Sequence, residues 1–100
     1  MSRHRTKRRD TNHGDIVRVL EQVGFAVKDT SQLGGFVDVV ASRANVNYLI
    51  EIKDGSKPPS DQVLTPKEQE FHDSWRGPIE ILRSTEEALA FSQRCASQPR

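Results

Sequence analysis

The sequence predicts one α/β domain, a central sheet covered by helices, and three features point there. Ile16, Val17, Val19, Leu20 and Val23 recur at helical spacing. The runs 36–41 and 48–53 alternate like strands yet are largely apolar on both faces, as central strands covered on both sides are. Residues 64–78 carry the start and stop signals of a second helix. One hundred residues suit a single small domain. The apolar content of 34% is low, but it is concentrated in short runs in the middle of the chain, so only the ends read as flexible.

The first helix follows Asn12 as N-cap, carries Asp15 in its first turn and stops at Gly24. "FAVKD" is a short strand, and "TSQLGG" a loop whose glycines permit a tight bend. A hairpin comes next, its turn within "RANVN" and centred near residues 44 and 45. Alternation puts Phe36, Asp38 and Val40 on one face and Val37, Val39 and Ala41 on the other; Leu49, Glu51 and Lys53 likewise oppose Tyr48, Ile50 and Ile52. The polar "GSKPPSDQV" is an irregular loop. In "LTPKEQEFHDSWRGP", Thr65 is the N-cap, Pro66 the first helical residue, Glu68 the capping-box partner and Gly77-Pro78 the stop, with Phe71 and Trp75 as the buried stripe. "IEILR" is the last strand, and Ser84 with Glu87 opens the last helix. The expected division is a basic arm over 1–10, a domain over 11–94 and a flexible tail over 95–100.

The net charge of +1 conceals an asymmetry. Arg3, Arg5, Lys7, Arg8 and Arg9 precede every acid, and residues 10–100 hold ten basic and fourteen acidic residues. The arm has the character of a phosphate-binding segment that would add salt-dependent, sequence-blind affinity for nucleic acid, or of a solubilising tail. The lone Cys95 makes no internal disulfide, and no apolar run approaches membrane-spanning length or resembles a signal peptide. A soluble cytoplasmic protein is expected.

Asp38, Glu51 and Lys53 are out of place in an apolar hairpin, because a buried ion without a partner is costly. A turn centred at 44 and 45 sets Asp38 directly across from Glu51, on the same face. Two facing carboxylates repel unless a cation lies between them. Oxygen donors of this kind suit Mg²⁺, with Mn²⁺ as a substitute, and such ions complete their coordination with water and phosphate. Lys53, roughly 6–7 Å further along the strand face, would orient the attacking water or neutralise charge on a phosphate. These are the groups that metal-assisted phosphodiester hydrolysis needs. On spacing alone, Asp38 in water at a strand edge and a Glu51–Lys53 pair on an exposed face is an equally open reading.

From Asn12 to about Ala90 the chain resembles the PD-(D/E)XK nuclease superfamily, and within it the small stand-alone VRR-NUC proteins of phages, which are related to Holliday junction resolvases. The resemblance lies in "GGFVD", "LIEIKDG", "LTPKEQEFHDSW" and "GPIEILRSTEEAL", in that order. It implies a restriction-endonuclease-like αβββαβ core with a mixed sheet. It also implies Asp38 and Glu51 as catalytic metal ligands, the backbone carbonyl of Ile52 as a further ligand and Lys53 as the catalytic lysine. Asp15 falls where such families often carry a metal-touching Glu, although Asp is shorter; Gln69 falls near a supporting helix glutamine; Val37 replaces the proline of the family name. The activity implied is Mg²⁺-dependent cleavage of DNA, selective for branched structures such as Holliday junctions or flaps, by a twofold homodimer in a bacterial or phage-infected cell. The alternative is a non-catalytic nucleic-acid-binding module that keeps the fold. His13 and His72 read as helix residues without a role, and no aromatic side chain stands out as a base-stacking platform.

Overall fold

The computed structural model describes residues 11–97. The elements run α1 (His13–Gln22), β1 (Ala26–Asp29), β2 (Val39–Arg43), β3 (Val46–Ile52), a short 3₁₀ turn (Pro59–Asp61), α2 (Pro66–Ser74), β4 (Ile79–Leu82) and α3 (Thr85–Ser97). The sheet is mixed, in the order β1-β2-β3-β4, with β1–β2 and β2–β3 antiparallel and β3–β4 parallel. The α/β class and the central hairpin expected from the sequence are therefore present. The basic arm lies outside the described residues.

The hairpin turns through Ala44 and Asn45, both at positive φ (55° and 67°), the conformation that two-residue turns need to follow the strand twist. That turn fixes the register Val39↔Ile50 through Arg43↔Val46. One face of the sheet presents Val39, Ala41, Ile50 and Ile52, and α1 and α3 cover it with Ile16, Leu20, Ala88 and Phe91. Burying each of these larger aliphatic side chains favours the fold by about 1.5–3 kcal/mol. Phe25 stacks on Phe91 at 5.5 Å and closes the end of this core.

Three local expectations are corrected. Asn12 precedes α1 but makes no side-chain cap; its amide instead donates to the carbonyls of Lys53 (3.1 Å) and Arg83 (2.9 Å), tying α1 to the ends of β3 and β4. The final helix continues through Cys95, Ala96 and Ser97, where a flexible tail was expected. Phe71 is only half-buried and Trp75 is 43% exposed, so they are not a core stripe. The capping box of α2 forms as expected, with both Thr65–Glu68 bonds present and Pro66 at the helix start. The Ser84 hydroxyl likewise caps Glu87 N–H, while the Glu87 carboxylate turns to Arg83 N–H.

Candidate functional site

The ladder between β2 and β3 ends at Val39↔Ile50, one step short of Asp38 and Glu51. At Asp38 the backbone bends. Its N–H still reaches Ile50 O at 3.1 Å, while its carboxylate turns onto the partner strand and accepts the Ile52 N–H at 2.7 Å. Asp38 thus lies beside Glu51, as the alternation required, but held by a side-chain bond where a regular backbone pair was expected. Asp38, Glu51 and Lys53 are all buried, at 5%, 1% and 7% exposure. This excludes the reading of a surface Glu–Lys pair and an acid in open water.

Helix α2 supplies two further side chains. The Lys53 ammonium bonds Glu68 Oε1 at 2.8 Å, and His72 Nε2 lies 3.4 Å from Glu51 Oε1. Glu68 and His72 are four apart, so they share the helix face turned to the sheet. From the sequence, Glu68 has only a capping role and His72 none. The signal available was that polar i, i+4 spacing.

Burial, reinforced by the carboxylates of Asp38 and Glu68, pushes the Glu51 carboxyl up to about 10. Its Oε2 is buried and has no hydrogen-bonding partner. For Glu68, burial acts upward, but the bonds from Lys53 and from the Thr65 N–H outweigh it and leave the carboxyl below its usual value. One carboxyl is therefore held neutral and another charged within a single cluster.

The exit from β3 is fixed just beyond Lys53. Lys53 N–H donates to Leu82 O at 3.0 Å and Gly55 N–H to Arg83 O at 2.9 Å. A Cβ on Gly55 would lie 2.9 Å from that same Arg83 oxygen, so the approach requires glycine. Asp54 accepts from Thr11 Oγ1 (2.7 Å) and from both the N–H and hydroxyl of Ser56. These bonds lower its carboxyl to about 2.

The remaining expected site residues stand apart. Asp15 is exposed and paired with Arg18 at 2.9 Å, and it lines a separate cavity of about 500 Å³ with Asn12, Asp54 and Arg83. Gln69 is exposed and bonds Asp73, so the α2 residue that reaches the site is its neighbour Glu68. His13 is buried, with Nε2 3.2 Å from Asp29 and Nδ1 unpartnered. Arg3, Arg5, Lys7, Arg8 and Arg9 lie outside the described residues. Among the described residues no group of three or more His, Cys, Asp and Glu side chains is placed to hold a metal ion. The oxygen donors at the cluster are the carboxylates of Asp38, Glu51 and Glu68, the last paired with Lys53, and the Ile52 carbonyl lies between Glu51 and Lys53 in the chain. No family model, characterised protein or solved structure matches this chain.

Proposed function

We propose that the chain is a divalent-metal-dependent DNA endonuclease that hydrolyses phosphodiester bonds and selects branched DNA by its structure. The observation that carries this reading is the buried pair Asp38 and Glu51, one of whose oxygens lacks any donor, two residues from a buried lysine. A catalytically idle core gains nothing from such a pair, because each carboxylate makes the other harder to ionise. The order α1-β1-β2-β3-α2-β4, with its mixed sheet, agrees with the restriction-endonuclease-like arrangement that the sequence motifs suggest.

A Mg²⁺ or Mn²⁺ ion fits this donor set: it accepts two carboxylates and a carbonyl, keeps several waters, and would answer the unsatisfied Glu51 oxygen. When bound, it would act as a Lewis acid on the phosphate and lower the pKa of a coordinated water. The chain's own residues do the rest. Asp38 and Glu51 would hold the ion, Lys53 would offset the charge that builds on the phosphoryl oxygens, and Glu68, bonded to it at 2.8 Å, holds that ammonium in place. His72 fixes the orientation of Glu51. One small domain reads backbone and shape more readily than base edges, which favours selectivity for structure. Resolving a four-way junction takes two cuts related by symmetry, hence a twofold homodimer, acting where its DNA lies, in the cytoplasm. Among the described residues no helix is long and apolar enough to cross a membrane.

The second reading, a binding module without turnover, is favoured by the Lys53–Glu68 ion pair, which already satisfies the ammonium. The test is cleavage of labelled four-way junction, flap, linear duplex and single strand in Mg²⁺, Mn²⁺ or EDTA, comparing wild type with Lys53→Ala and Glu51→Ala. Metal-dependent cutting of branched DNA, lost in both variants, is the expected result. A gel shift without cutting under every condition would establish the binding module instead.

A further inference from the structure

We infer that Trp75 and the groove beside it form a docking site for single-stranded DNA, on which an unpaired base stacks next to the cluster of Asp38, Glu51 and Lys53. This deepens the reading of the chain as a DNA-processing protein and rests on it. It adds to the substrate class branched DNA that carries unpaired nucleotides, such as a flap or splayed arm.

Three aromatic rings make a continuous row. Phe36 meets Phe71 edge to face at 5.2 Å, and Phe71 meets Trp75 at 5.1 Å in a tilted stack. The inner ring, Phe71, also meets the His72 ring edge to face at 6.3 Å, and His72 Nε2 lies 3.4 Å from Glu51 Oε1 in the cluster. The row therefore starts at the cluster and ends in solvent, where Trp75 is 43% exposed. An exposed tryptophan at the end of a supported aromatic row is a large π-face that a base can cover, and stacking accepts any base.

A groove of about 410 Å³ runs alongside, lined by Gly34, Gly35, Lys67, Glu70, Phe71 and Ser74. Its two glycines leave the backbone without side chains on that wall, and a Cβ on either would meet nothing within 4 Å, so a strand has room to approach. Lys67 lines the groove and makes no ion pair among the described residues, which leaves a cation for a phosphate next to the stacked base. Glu70 is the one acid among the lining residues, and its carboxylate can accept from an exocyclic amino group.

Trp75 is the only tryptophan, so its emission reports on this position alone. The experiment is titration of the full chain, in EDTA, with single-stranded oligodeoxythymidine and with a duplex of equal length, following tryptophan emission and, separately, the anisotropy of an end-labelled oligonucleotide. Quenching by the single strand, weaker quenching by duplex, and an affinity reduced roughly 5- to 100-fold in Trp75→Ala but largely kept in Trp75→Phe are expected. Lys67→Glu should weaken binding without touching the aromatic row. The inference is overturned if the oligonucleotide binds with unchanged emission, if Trp75→Ala binds as wild type does, or if no single strand binds. It is equally overturned if emission changes with protein concentration alone, which would mean a second copy covers Trp75. Quenching without any cleavage would leave this site standing while the nuclease reading fails; cleavage with a silent Trp75 would do the reverse.

Discussion

Lys53 and Glu68 are joined through a single carboxylate oxygen: Glu68 Oε1 receives the Lys53 ammonium at 2.8 Å and the Thr65 N–H at 2.9 Å. The cap of α2 and the partner of the buried lysine are thus one atom. Placement of the helix and charge balance at the cluster cannot be altered separately.

Glu68→Ala therefore takes the bonded carboxylate away from a buried ammonium and removes half of a capping box. A loss of about 3–5 kcal/mol is expected, a large share of the total stability of a small domain. Glu68→Gln, which keeps an acceptor for both donors, should lose less. The double variant Lys53→Met, Glu68→Leu should recover much of the loss, because two apolar groups replace the ion pair. Urea denaturation of the four proteins measures this; a double variant no more stable than Glu68→Ala would contradict it.

Binding of Mg²⁺ to the folded chain should raise its Tm by mass action. At ten times Kd the gain is about 1.4 kcal/mol, or several degrees for a domain of this size. Asp38→Asn keeps an acceptor for the Ile52 N–H and should fold, yet lose that rise. Thermal melts with and without the ion decide, and an undiminished rise in Asp38→Asn would remove Asp38 from the ligand set.

The metal-free protein should lose stability with rising pH. Glu51 has its folded pKa raised from 4.5 to about 10, so its contribution is fully present below the unfolded value and declines as pH climbs toward the folded one. Glu51→Gln, neutral at every pH, should melt above wild type at pH 8 in EDTA and show a flatter Tm between pH 5 and 9. A wild-type profile as flat as that of the variant would count against a neutral Glu51.

The hairpin turn offers a gain. Ala44 sits at φ 55°, where an alanine Cβ is strained by about 1–2 kcal/mol. Ala44→Gly, or Ala44→Asn, the commoner residue at that turn position, should raise Tm by about 4–8 °C. Calorimetry of the two variants tests whether the turn geometry governs the register.

Removal of residues 1–9 should weaken DNA binding and reduce its dependence on salt by about 0.9 in log–log slope for each phosphate that the arm neutralises. Anisotropy titrations from 50 to 300 mM KCl give that slope. An unchanged slope would show that the arm touches no phosphate.

Much of this was legible in the sequence where local rules act alone. Strand alternation and a short turn are enough to bring Asp38 beside Glu51, since a period of two leaves no other face for them. Capping residues likewise marked where α2 and α3 begin. Orientation of α2 was not legible. An apolar stripe ordinarily turns inward, which favoured Phe71 and Trp75, but the sheet surface opposite α2 carries carboxylates and an ammonium. Against a polar surface the polar stripe is the complementary one, so Glu68 and His72 turn in and Trp75 turns out. The cap at Asn12 failed for a related reason: two strand-end carbonyls distant in sequence accept from its amide nitrogen and hold the side chain where its Oδ1 reaches no helix N–H.

That amide spans 41 residues to Lys53 and 71 to Arg83. Because β4 is also the parallel neighbour of β3, the strand bearing Glu51 stays an open edge until residues 79–82 have been synthesised. A growing chain that has released only the residues up to Ile52 from the ribosome holds the hairpin but neither α2 nor the Asn12 latch. Long-range closures of this kind slow folding and come late. Whatever chemistry the cluster performs is withheld until β4 and Arg83 have joined the fold.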